Sequence, residues 1–127
     1  MAAFSDYLEG AVLDATLRNT SYSSPSTVYL ALFTSDPTDA GSGTECSGTG
    51  YARQAAAFSR TGATASNSSA IEFPTAGGSW GTITHFGVLD ASSSGNLLYH
   101  GALTASKSIT TGDIFRVPSG DLDITLA

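Results

Sequence analysis

Residues 77–81 read Gly-Gly-Ser-Trp-Gly, the G-x-S-x-G spacing with which serine hydrolases expose a nucleophile. That chemistry needs a strand before the serine and a helix after it, so that a strained turn presents the hydroxyl. Here Pro74–Gly78 reads as a loop and Thr82–Leu89 as a strand. Ser79 is therefore expected in a glycine-rich turn that lays Trp80 against a sheet, and the chain is not expected to be an enzyme. His85 and His100 are the only histidines, each inside a predicted strand beside an aromatic residue. Facing one another across neighbouring strands they could take a metal, but hydrogen-bonded or interface histidines fit the same pattern better.

Carboxylates offer two further constellations. Asp36, Asp39 and Glu45 share one Gly-rich segment, yet the alternating Asp/Asn spacing of a calcium loop is missing, and a solvated acidic turn started by Asp36-Pro37 is the plainer reading. Asp121 and Asp123 stand two residues apart on one strand face, about 7 Å by strand rise, without a general-acid partner. Asn67-Ser68-Ser69 and Asn19-Thr20-Ser21 are formal glycosylation acceptors that mean nothing without secretion. No phosphate loop, dinucleotide fingerprint or zinc pattern occurs, so no cofactor and no metal are expected.

The elements that position these residues are mostly strands. Residues 5–18 form the one helical pattern, with Ser5 or Asp6 as cap, Glu9 three places after Asp6 as in a capping box, and Phe4, Leu8, Ala11, Val12 and Ala15 at helical spacing. Leu13 and Leu17 widen that stripe, and the helix is expected to lie over one side of a sheet. Thr27–Thr34 is a continuous apolar run, as in a strand covered on both faces. Tyr51–Ser59, Ala70–Phe73, Thr82–Leu89, Leu97–Thr104, Asp113–Val117 and Leu122–Leu126 follow as strands, the last with Leu122, Ile124 and Leu126 alternating against polar residues. Ser35–Gly50 and Arg60–Ser69 have the composition of mobile linkers. Seven or so strands, turn-rich connections and one helix predict a mainly β chain: an antiparallel β-sandwich or jelly-roll-like domain with one N-terminal α-helix, a single domain over residues 1–127.

Composition narrows the partners. Five basic residues oppose eleven acidic ones for a net charge of −6, and Lys107 is the only lysine. Sequence-independent nucleic-acid binding needs clustered cations, so nucleic acid is excluded as a partner. The first residues lack a signal peptide's basic start and apolar run, and no stretch is long enough to insert in a membrane. Synthesis and assembly in the cytoplasm of the producing cell are expected. Cys46 is the only cysteine, so an intrachain disulfide is excluded. Glycine, alanine, serine and threonine together supply 67 of 127 residues, while only 13% are charged, about half the usual share. Monomeric β proteins guard their sheet edges with charge, especially lysine. So sparse a guard suggests edges covered by neighbouring subunits.

AFSDYLEGAVLDATLRNTSY, TVYLALFTSDPTDAGSGTE, GYARQA and above all IEFPTAGGSWGTITHFGVLDASSSGNLLYHGALTASKSITTGD resemble a family of small phage virion structural proteins commonly labelled phage tail fibre proteins. The resemblance spans nearly all of the chain and implies a virion protein of a bacteriophage, assembled in the bacterial host. A short acidic domain without a repetitive shaft suits a capsid decoration (cement) subunit that stabilises the head by binding between capsomers. The alternative is a tail fibre, tail-tip or adaptor subunit involved in host attachment. Either role implies contact with phage capsid or tail proteins and with other copies of the chain, a homotrimer being expected. Candidate interface anchors at element ends or in loops are Phe4, Tyr7, Tyr51, Arg53, Trp80, Phe115 and Arg116.

Overall fold

Alternating apolar residues build a sheet in which the strand Val28–Phe33 meets buried clusters on both faces. The computed structural model describes residues 3–126. Strand β1 (Ala3–Phe4) leads into helix α1 (Asp6–Leu17), followed by β2 (Val28–Phe33), β3 (Gln54–Ala56), β4 (Phe58–Thr61), β5 (Thr64–Asn67), β6 (Ile71–Glu72), β7 (Gly81–Leu89), β8 (Leu97–Ile109), β9 (Arg116–Val117) and β10 (Asp123–Thr125). The main sheet has five strands in the order β1-β8-β7-β2-β3, and its described pairings are antiparallel. A three-stranded sheet, β10-β5-β4, and a two-stranded one, β6-β9, form the opposing layer. The architecture is the expected mainly β sandwich with one N-terminal helix.

Strand β2 shows how the period of two divides the interior. Leu30 and Leu32 point into the larger core, with Ile83, Phe86, Val88, Phe73, Trp80, Phe115, Leu122 and Ile124. Ala31 and Phe33 point the other way, into a smaller cluster with Leu89 and Leu97. Tyr51 and Phe73 stack with centroids 6.2 Å apart, and the ring edges of Trp80 and Phe115 meet Phe73. These edge-to-face contacts add to the burial that drives the core together.

Several elements depart from the sequence reading. Tyr51–Ser59 is two strands in two different sheets, because the chain breaks at Ala57 and crosses between layers. Arg60–Ser69 is largely a hairpin: β4 and β5 pair from Phe58↔Asn67 to Thr61↔Thr64. Gly62, at φ 60° in the first central position of the two-residue turn, supplies the positive φ that such a turn demands. Strand β8 runs past Thr104 to Ile109. Its residues 103–106 bulge where Ile83↔Lys107 gives way to His85↔Ala102, so the alternation stumbles there. Strand β9 is shorter than Asp113–Val117, since Asp113 is spent on a turn, its carboxylate accepting from the Thr110 N–H at 2.9 Å.

Candidate interaction surface

Helix α1 starts where Ser5, itself buried, docks on the end of β8. The Ser5 hydroxyl donates to the Leu97 carbonyl, its oxygen accepts from the Leu8 N–H at 3.2 Å, and the Ser5 N–H reaches the Leu98 carbonyl at 2.9 Å. Ser5 is thus the N-cap, and Asp6 is not. The Asp6 N–H donates to the Asp39 carbonyl at 2.8 Å. Beyond this first turn the expected cover of the sheet ends. Leu8 is the one buried residue of the helix, whereas Leu13 is 56% and Leu17 77% exposed. The apolar residues run round the cylinder instead of keeping to one side, so burying Leu8 points Leu13 and Leu17 outward.

The segment after β2 doubles back and pairs along the free edge of that strand. Its hydrogen bonds run Cys46 N–H to Leu32 carbonyl at 2.8 Å and Thr34 N–H to Thr44 carbonyl at 2.9 Å, with a bridge between Phe33 and Glu45. Gly/Ser-rich as it is, Ser35–Gly50 is tied down along its length. A charged network centred on Glu45 adds to the tying. Arg53 donates from Nε to Glu45 Oε2 at 2.9 Å and from Nη2 to Oε1 at 2.8 Å, a two-pronged fork. Its Nη1 donates to the carbonyls of Ala91 at 2.9 Å and Ser94 at 2.8 Å, so one guanidinium joins two loops. The Tyr51 hydroxyl donates to Glu45 Oε2 and accepts from the Leu32 N–H.

The electrostatics follow from this geometry. Burial alone would raise the Glu45 carboxyl, but hydrogen bonds from Arg53 and Tyr51, together with the Arg53 charge, outweigh it and hold the group below its usual range. The hydrogen bond to Glu45 raises the Arg53 guanidinium in turn. Burial first, then the Glu45 charge, pushes the Cys46 thiol up to about 12. Tyr51 is raised by burial and by its bond to the carboxylate.

Between the first turn of α1, the 36–45 segment and the 90–96 loop lies an open hollow of about 480 Å³. Phe33, Leu89 and Leu97 contribute its apolar lining, and Asp6, Tyr7, Asp39, Arg53 and Asn96 its polar one. Beside it His100 Nε2 lies 2.8 Å from Asp39 Oδ1. The carboxylates of Asp6, Glu9 and Asp39 are exposed and each offers an oxygen within 4.8 Å of the others. A second groove, of about 360 Å³ and nearly all apolar, runs between the layers past Val28, Phe58, Tyr99, Ile124 and Leu126.

The residues singled out from sequence are scattered over this frame. Ser79 is exposed in the turn before β7, and its hydroxyl oxygen accepts from the Gly81 N–H at 3.3 Å. Neither a preceding strand nor a following helix flanks it. The two histidines do not meet: His100 stands opposite Gly87, and His85 opposite Ala102, with His85 Nδ1 at 2.8 Å from the Thr84 hydroxyl. Asp36 accepts from the Thr38 N–H and lies 3.9 Å from His100 Nδ1, Asp39 meets His100 Nε2 at 2.8 Å, and Glu45 pairs with Arg53, so the first two carboxylates flank one imidazole and the third stands apart. Asp123 accepts from Ser66 across the sheet, and Asp121 lies outside β10.

Of the interface candidates, Trp80 (2% exposed) and Phe115 (5%) belong to the core, where both meet Phe73 edge-to-face. That placement corrects their reading as surface anchors. Tyr51 and Arg53 are held in the network just described. Phe4 is half-buried edge-on to Tyr99, with ring centroids 5.3 Å apart. Tyr7, at 44%, and Arg116, which lies 3.6 Å from Glu72, remain open to a partner. Reading from sequence missed the outward Leu13 and Leu17. Their signal was present, since about 100° per residue sets Leu17 opposite Leu8 on the helix.

Fold and surface together define a small antiparallel β-sandwich with a helix projecting from one end. A family model described as podophage GP4 fiber I protein gp80 matches residues 3–125, and the chain belongs to that family. It is accordingly a phage fibre-family protein and a virion component. Among curated proteins none matches the chain.

Proposed function

We propose that this chain is a subunit of a podophage tail fibre, working by held contacts with other virion proteins and not by turnover. The observation that carries the reading is the fibre-family match over residues 3–125. Physical features agree with it. Ionisable groups of the kind that catalysis recruits are spent on structure: Glu45 and Arg53 lock two loops together, and His100 is set against Asp39. Surface left unpartnered, by contrast, includes large apolar side chains on α1, the resource from which protein contacts draw most of their energy.

Capsid decoration, the role first suggested by small size and acidity, has only those two general features behind it, whereas the family description names a fibre. Particles made without the protein separate the two. A fibre subunit predicts intact heads of normal heat and osmotic resistance with slowed adsorption to host cells. Fragile heads with unimpaired adsorption contradict the reading and favour decoration.

A further inference from the structure

The apolar groove between the layers opens the sandwich core to solvent. Buried Val88, Leu98 and Ile124 line it, beside half-buried Phe58 and Tyr99 and exposed Leu126. One charged residue shares this lining. Arg60 pairs with Ala65 across β4 and β5, and Ala65 pairs with Ile124 of β10. Residues directly opposite one another project to the same face of a sheet, so Arg60 stands on the face that carries Ile124 into the core. Its Nη1 donates to the Gly62 carbonyl at 2.8 Å, a neutral partner that fixes the side chain and leaves its charge uncompensated. Among the described residues no carboxylate lies within ion-pair distance of it, although the chain carries a net charge of −6. Tyr99 adds a phenol that burial pushes up, so the hydroxyl keeps its proton as a donor.

Shape and polarity select the ligand. A peptide laid in the groove would carry backbone N–H and C=O groups past walls that offer them almost no partners, at a cost for each. A single acyl chain has no such groups, and about 360 Å³ is at the small end of ligand pockets. The polar end that an acyl chain does have is a carboxylate, the group whose two oxygens match a guanidinium fork.

We propose that the groove is a binding site for a medium-chain fatty acid, with the acyl chain between the two layers and the carboxylate on Arg60. The layers meet there through Val28, Val88 and Leu98 on one side and Phe58, Ala65 and Ile124 on the other. The site does not depend on the fibre reading and uses no residue of the Glu45 network.

Calorimetric titration of the full-length protein with sodium decanoate, kept below its micelle concentration, tests this. Saturable binding is expected, tightening about fourfold per methylene from hexanoate through octanoate to decanoate. In methyl-resolved NMR spectra the shifts should concentrate on Val88, Leu98, Ile124 and Leu126. Arg60→Gln should weaken decanoate at least about tenfold and leave decanol unchanged. Ala63→Phe, at an exposed turn residue of the lining, should block both ligands with an unchanged circular dichroism spectrum. Absence of saturable binding, or shifts away from the groove, overturns the proposal. Decanoate binding that survives Arg60→Gln undiminished overturns it too, and leaves Arg60 as an inward charge guarding the β4 edge. Groove shifts raised by N-acetyl trileucine amide and not by decanoate likewise overturn it, in favour of a protein anchor.

Discussion

The 35–50 segment and helix α1 reverse the expectations that their compositions raise. The segment is rich in glycine and serine, yet the structure fastens it at Thr34, Cys46 and Glu45, and the indole of Trp80 donates to the Thr49 carbonyl at 3.0 Å. The helix has the strongest local signal in the chain, yet it buries Leu8 alone. Local sequence governs which backbone shapes are accessible. Whether a segment is held depends on where its few committed groups find partners, and those partners lie far along the chain: Arg53, Ala91 and Ser94 for the segment, Asp39, Leu97 and Leu98 for the first turn of the helix.

The contrast can be broken from its strong side. Trp80 lies beneath the segment, and a Cβ at Gly48 would stand 2.6 Å from its ring, so chain and indole are in closest contact there. Trp80→Ala should cost about 3–5 kcal/mol of stability by denaturant unfolding, with the segment's amides losing hydrogen-exchange protection first. Little loss, or a loss spread evenly over the chain, denies that the ring seats the segment.

Glu45→Ala comes next, at about 2–3 kcal/mol, because it strands a part-buried guanidinium and the Tyr51 hydroxyl. The same carboxylate gives a pH signature. Its value in the folded protein is depressed, so its stabilisation is present above the unfolded value, about pH 4.3. That contribution is lost as pH falls through the lower folded value. Acid unfolding curves of Glu45→Gln should therefore be shallower than those of the parent below that unfolded value, and superimposable curves contradict the network.

Kinetic evidence sharpens the picture without a mutation. Cys46 is buried and its thiol is pushed to about 12, so it should react with a thiol reagent only on the time scale of local or global opening. Immediate stoichiometric labelling of the native protein shows the segment to be open. The smallest effect belongs to the helix. Leu17→Asp should change monomer stability by less than about 0.5 kcal/mol, and a larger change means that α1 is packed more firmly than its exposure indicates.

Legibility in the sequence follows the same division. Strands β2, β6, β7 and β10 were readable to within a residue or two, because burial on a pleated sheet imposes a period of two. The hairpin of β4 and β5 was hidden by residues such as Thr64, Ala65 and Ser66, whose pairing with β10 is decided by backbone hydrogen bonds and not by hydrophobic contrast. The far end of β8 was hidden by its bulge. At the candidate surface, Arg53 and Tyr51 stood out as residue types, but their partner Glu45 is a matter of loop path. Trp80 and Phe115 look identical in sequence whether they serve a core or an interface. Only the ring contacts around Phe73 decide it.

The account rests on this domain standing on the fibre of the particle. Purified virions labelled with a gold-conjugated antibody against the native chain, imaged by electron microscopy, test that directly. Label confined to the tail fibres, at a few copies per particle, is the predicted result. Label spread across the head, or its absence from finished particles, contradicts it.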